Sequence, residues 1–321
     1  MAYSVTFEKL IAFLRMHLTF ACCWPLPPTA TKLQIIYDKF FRLFNSLHAM
    51  LIICTVAYRI ITQYDNTLVL IQLSCVLGTL CEIPVQIYLF TREYDRLQNI
   101  ILKMENFNKH ANPIERDVIQ EYINKHIAIY VYAQVCATVF LALLLWFPTA
   151  RFEILANKFR MATEHSDWKA CVREHQELLK FTKQVTISLS YITLSSLGVS
   201  TITVVFSGLT FLGQFPMIVK MQYSIVCCSS LSKVFLCTWP ADHLMSMSSY
   251  VGDAAYNSLW YEYGTATQKL MLYTLFRSQR PVIVSVPGLV AALSLQHYAS
   301  YVSMAFSYLT SFRAILSNDM D

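Results

Sequence analysis

Few side chains in this sequence have types and spacings suited to chemistry, and they are scattered. Glu82, Lys220, Lys233 and His297 interrupt long apolar runs, His165 and His175 fall in a charged run, and there are ten cysteines. His165 and His175 are ten residues apart, a poor spacing for two imidazoles to share a metal, and they read as part of a solvated face. The cysteines, among them Cys54, Cys75, Cys81, Cys136, Cys227 and Cys228, form no CxxC pair and read as buried thiols within helices. No GxSxG, HExxH or GxxxxGK motif occurs, and seven glycines in 321 residues leave no glycine-rich phosphate cradle. The sequence therefore predicts no enzyme, no metal and no cofactor.

An ionisable residue inside a membrane segment marks a functional site by default. Glu82 either lines a cavity or pairs across helices. Lys233 marks a polar cavity, whereas Lys220 lies near a segment end and can snorkel. His297 reads as a hydrogen-bonded helix residue. Beside it, Gln296, Ser300, Ser303, Ser307, Thr310, Ser311 and Ala314 fall within about a 100° arc at helical periodicity. Leu295, Tyr298, Val302 and Phe306 occupy the other side. Such a stripe is either a close packing seam whose hydroxyls bond back to the helix or the wall of a water-filled pore.

The elements that carry these residues are helices in lipid. Hydrophobic residues make up 55% of the chain and charged residues 14%, against roughly 25% charged in soluble domains, and the mean hydropathy is +0.43. A span needs about 20 apolar residues. Phe44–Ile61, Leu68–Phe90, Ile127–Phe147 and Val185–Leu212 satisfy this; Val219–Trp239 and Val282–Phe312 complete a predicted set of six. The expected fold is all-α, a polytopic membrane helix bundle forming a single domain over 1–321. The net charge of +5 is dispersed between apolar blocks, which argues against nucleic acid as a partner.

Lysine and arginine distribution orients the bundle. Residues 1–43 hold five, 91–126 six, 148–184 seven and 240–281 three, so 21 of 25 lie in four segments, while 62–67 and 213–218 hold none. The two charge-free connections read as extracellular and the N-terminus as cytoplasmic. Residues 148–184 conflict with this, being as basic as 91–126 with only Ile127–Phe147 between them. Either that block does not cross, or a span is missing between Pro148 and Arg151; a 21-residue charge-free block crosses by default, which favours the missing span. Phe152 to Lys183 reads as a cytoplasmic helical extension.

From Ala254 to Arg313 the chain resembles the C-terminal part of insect odorant receptors. The resemblance rests on Tyr256-Asn257-Ser258-Leu259-Trp260-Tyr261, Ser278-Gln279-Arg280-Pro281, Leu293 to Tyr298, and Ser307-Tyr308-Leu309-Thr310. Trp24-Pro25 and Phe152 to Arg160 extend it more weakly. It implies seven helices, cytoplasmic helical anchor segments at 151–184 and 240–280, and a last helix, 282–313, that lines the pore of a tetrameric channel. Against that pattern the chain lacks the second extracellular loop and most of the fourth helix.

The resemblance further implies an odorant-gated nonselective cation channel subunit in the plasma membrane of olfactory neuron dendrites. Its expected partners are a shared co-receptor in a heterotetramer, a volatile odorant and membrane lipid. Apolar pockets with one or two polar groups suit such ligands, and Gln72, Phe140, Trp146 and Tyr223 are the expected contacts. Ser300, Ser303, Ser307, Ser311 and Ala314 are the expected pore lining. A gustatory-receptor-type channel, a G-protein-coupled receptor, a transporter or a non-functional truncated form are the alternatives.

Overall fold

The computed structural model describes residues 6–20, 24–62, 67–124, 136–213, 215–286 and 290–318. Its α-helices are α1 (Phe7–Phe20), α2 (Lys32–Thr62), α3 (Thr67–Arg92), α4 (Tyr94–His110), α5 (Pro113–Tyr122), α6 (Cys136–Met161), α7 (His165–Leu212), α8 (Met217–Tyr256), α9 (Thr265–Ser278) and α10 (Leu295–Asn318). The chain divides into two compact units. Unit 1 comprises Met1–Leu18, Asp95–Ser190 and Trp239–Leu293, and unit 2 comprises Thr19–Tyr94, Tyr191–Thr238 and Ser294–Asp321.

Unit 1 is built from amphipathic helices around α6. In α1, Phe7, Leu10, Ile11, Leu14 and Leu18 are all buried, the spacing of one apolar helical face. Phe7 meets Phe147 of α6 with ring centroids 6.2 Å apart, and Arg15 pairs with Glu105 of α4 at 2.9 Å. Pro113 opens α5 at its first position, where a missing N–H costs nothing, and Glu115 accepts the Asn112 N–H at 2.9 Å. The foot of α6 runs antiparallel to the start of α7: Phe159 packs on Trp168 and Phe152 on His175. Lys158 of α6 bridges Glu115 at 2.8 Å and Glu174 at 2.9 Å, tying three helices together. Gly252 of α8 admits close approach of α9, since a Cβ there would stand 2.1 Å from the Ser278 hydroxyl.

The helix α6 carries the conflict in the charge pattern. Residues 125–135, the start of the expected Ile127–Phe147 span, lie outside the described residues. From Cys136 the helix runs unbroken through Pro148 to Met161. Proline leaves one helical carbonyl without its donor, and beside that gap Thr149 Oγ1 donates to the Leu145 carbonyl at 2.7 Å. By length and composition α6 is one of five described helices able to cross a membrane, with α2, α3, α7 and α8. Its apolar window is 89% buried inside the protein, against 11% for α2. The basic stretches on either side of it, apart from 91–94, belong to the same unit, and within that unit α6 is walled by protein.

The helices of unit 2 include some with exposed apolar faces. Along α2, Leu33, Ile36, Tyr37, Phe40, Leu47 and Leu51 are open, as expected of a lipid-facing helix. The exposed Cys54, Cys81 and Cys228 lie on such surfaces, contrary to the expectation of burial, while Cys75 is buried as expected. Helix directions follow from paired positions. Arg42 reaches Thr91, so α2 and α3 are antiparallel. Gly78 faces Ile202 and Glu82 meets Ser196, so α7 also opposes α3. Glu82 meets Lys233 and Cys75 neighbours Tyr223, so α8 runs with α3. Gly208 faces Leu309 and Thr201 neighbours Tyr301, so α10 runs with α7. The basic-free connections α2–α3 and α7–α8 therefore share one end of unit 2.

The last helix starts later than hydropathy predicts. Before it, Val286 and Val290 pair as an isolated bridge and Leu293 N–H donates to the Val284 carbonyl at 2.8 Å. Ser294 then accepts the His297 N–H on its hydroxyl at 3.2 Å, an N-cap bond to the third helical residue. Accordingly the Ser278 to Pro281 motif ends α9, and the expected span Val282–Phe312 is helical only from Leu295.

Candidate functional site

The interior of unit 2 is the chemically distinctive place. Glu82, from the middle of α3, receives Lys233 Nζ of α8 at 2.6 Å and 2.9 Å on its two oxygens. Ser196 of α7 donates to it at 3.0 Å and Gln86 at 2.5 Å. Of the two readings open for Glu82, the structure selects pairing across helices. Lys233, expected to mark a polar cavity, is its partner.

A stripe that the sequence reading missed runs up α7. Thr193, Ser196, Ser200, Thr203, Ser207 and Thr210 repeat at three- and four-residue steps and are all buried. Thr203, Ser207 and Thr210 donate to the carbonyls of Val199, Thr203 and Phe206, so they are satisfied within their own helix. Small side chains here let neighbours approach. A Cβ on Gly208 would stand 2.2 Å from Leu309 of α10. The same spacing rule that exposed the α10 stripe would have found this one.

The serines of α10 behave differently. Ser300, Ser303, Ser307 and Ser311 are all exposed in the single chain. Ser311 also bonds back to the Ser307 carbonyl at 3.0 Å. Ala314 belongs to α10, but its side chain lies outside the described residues.

The expected ligand contacts do not gather within one unit. Phe140 and Trp146 are buried inside unit 1, Trp146 between Tyr122, Trp239 and His243. Tyr223 is buried in unit 2 near Cys75. Gln72 lies on α3 of unit 2, nearly three helical turns before Glu82, with its side chain outside the described residues. A separate open groove of about 720 Å³ is lined by Leu26, Leu33, Ile36, Tyr37 and Phe40 of unit 2 and touches none of the four.

In unit 1, His175 is also not on a solvated face. It is 1% exposed, with neither ring nitrogen hydrogen-bonded, whereas His165 is exposed and bonded to Thr267 at 2.9 Å. Burial, reinforced by the Arg277 cation, lowers its pKa from 6.5 to about 4. The folded chain thus holds this imidazole neutral, so its contribution is intact above pH 6.5 and is lost as pH falls towards 4. We expect acidification from pH 7 to pH 5 to cost about 2 kcal/mol through this group. Thermal melts of the purified chain and of His175→Leu should show the variant losing less over that interval; equal losses would contradict the assignment.

The helix directions and the open apolar faces define an all-α polytopic membrane bundle. The family model described as 7tm Odorant receptor matches residues 122–306. The chain belongs to the odorant receptor family. Odorant receptor Or2 of Anopheles gambiae is 25% identical over 158 residues, 48% of this chain and 40% of that protein. Odorant receptor 67c of Drosophila melanogaster is 26% identical over 148 residues, 46% of this chain and 36% of that protein. The matches thus span about two fifths of these relatives' lengths. The solved insect olfactory receptor OR5 of Machilis hrabei superposes with a TM-score of 0.70 at 10% identity, covering 95% of this chain and 97% of that one. At that identity the likeness establishes the fold.

Proposed function

We propose that this chain is an odorant-gated, nonselective cation channel subunit of the olfactory neuron membrane, acting with a shared co-receptor. The observation that carries the reading is the row of Ser300, Ser303, Ser307 and Ser311, exposed along one face of α10 on a helix running with α2 and α7. Copies of such a face in a tetramer, with Ala314 continuing it, enclose a hydroxyl-lined path without fixed charge, which passes small cations with little discrimination. Exposed Leu272, Tyr273 and Phe276 on α9 and Leu259 and Tyr261 before it supply an apolar surface suited to subunit contact.

A solved structure of the Machilis hrabei receptor contains eugenol, and a small volatile of that kind suits a mostly apolar site with few polar groups. Tyr223 and Gln72 are the residues we assign to ligand contact in unit 2; Phe140 and Trp146 are assigned to the packing of unit 1. Cells expressing the chain with a co-receptor should show an odorant-evoked cation current, tested with a volatile panel that includes eugenol. Tyr223→Ala should shift half-maximal concentration by about tenfold, a loss in the 1–3 kcal/mol range of one pocket contact. A response unchanged by Tyr223→Ala would remove that contact, and absence of current with every co-receptor and ligand would remove the channel reading.

A further inference from the structure

The Glu82 cluster joins α3, α7 and α8 through charge and hydrogen bonds. Lys233 and Glu82 side chains are 19% and 11% exposed. Gln86 reaches both Glu82 and, at 3.3 Å, Ser196, so the carboxylate accepts from three different side chains. A carboxylate so satisfied has little capacity left for a ligand, and its role lies in what it holds. Two residues after Lys233, Phe235 packs edge to face on Tyr298 of α10, with ring centroids 5.5 Å apart. Positions two apart project about 200° apart on a helix. One face of α8 is therefore tied to α3 and α7, and the opposite face bears on α10.

We propose that the Glu82–Lys233 ion pair is a latch that fixes α8 against α3 and α7 and, through Phe235 and Tyr298, sets the position of α10. Removing one partner leaves a buried charge uncompensated, which is costly for folding in any case. The variants that separate a latch from a structural ion pair are the double ones. Glu82→Gln with Lys233→Gln leaves no lone charge and keeps amide hydrogen bonds, so it folds; it lacks only the charge-assisted strength, which exceeds neutral bonding by a factor on the order of five in local equilibrium. Glu82→Lys with Lys233→Glu restores an ion pair with its ends exchanged.

The test is hydrogen–deuterium exchange of the full chain in lipid nanodiscs. The neutral double variant is expected to keep the wild-type melting temperature while amides of α8 and α10 exchange about fivefold faster, and the exchanged pair should return them towards wild type. Wild-type exchange in α8 and α10 of the neutral variant, or an exchanged pair as loose as the neutral one, would overturn the latch. In cells with a co-receptor the neutral variant should also pass more current without ligand. This second arm rests on the proposed channel function: no current in any variant would count against that reading, while the exchange rates decide the latch independently.

Discussion

Replacing Trp146 with alanine is expected to cost unit 1 about 3–5 kcal/mol, the range for truncating a fully buried aromatic residue. The ring is 1% exposed. It meets Trp239 edge to face at 5.3 Å, His243 at 5.2 Å and Tyr122 at 5.7 Å, so no single neighbour can move in to fill the space. Two of those partners come from α8 and one from α5, which means that the cavity would loosen the junction of three helices at once. By contrast Leu33→Ala, at a position 79% exposed on α2, should change stability by no more than about 0.5 kcal/mol. Thermal unfolding of the two purified variants in detergent checks the pair. A Trp146→Ala variant that melts with wild type would mean that α6 is not the core of unit 1.

That core position was only partly legible in the sequence. Hydropathy found α2, α3 and the membrane half of α7 because their exposed faces are apolar on every side that meets lipid, and a charge-free window reports that directly. The same signal reads α6 as a span, yet a helix hydrophobic all round is also what a protein interior requires. Composition does not separate lipid from protein as the surrounding medium. The charge count did separate them in part, since two basic segments flanking one apolar block conflict with a simple crossing, and both segments, apart from 91–94, fall in unit 1. The likeness to odorant receptors was readable from the motifs between Ala254 and Arg313, where order and spacing of Trp, Pro, Ser and Tyr are specific.

Polar partnerships were harder to read. Glu82 and Lys233 are 151 residues apart, and nothing local indicates that α3 and α8 run in parallel beside each other. His175 sits in a charged run because Glu174 and Arg173 flank it, yet a helix turns 100° per residue, so its neighbours in sequence face elsewhere. The start of α10 at Leu295 depends on one cap, Ser294, which hydropathy averaging across Val282–Phe312 erases. The serine stripe itself was visible from periodicity, but whether such a stripe packs or lines water depends on its neighbours. On α7 the hydroxyls are buried, three of them bonded back to the helix and Ser196 to Glu82, and on α10 the serines are exposed.

The measurement that bears most directly on the proposed channel uses cysteine at Ser307 and Ser311, with Val302 and Phe306 as controls on the other side of α10. Ser307 and Ser311 are exposed and separated by one helical turn, so in a pore both present their side chains to the same water column. A small charged thiol reagent added during odorant application reaches only cysteines in contact with water, and the charge it deposits in a narrow hydroxyl-lined path opposes cation flow. The chain expressed with a co-receptor should therefore lose most of its evoked current at Ser307→Cys and Ser311→Cys, and more slowly without odorant. Val302→Cys and Phe306→Cys should keep their current under the same exposure. Equal insensitivity at all four positions would contradict the pore and assign the serines of α10 to helix packing.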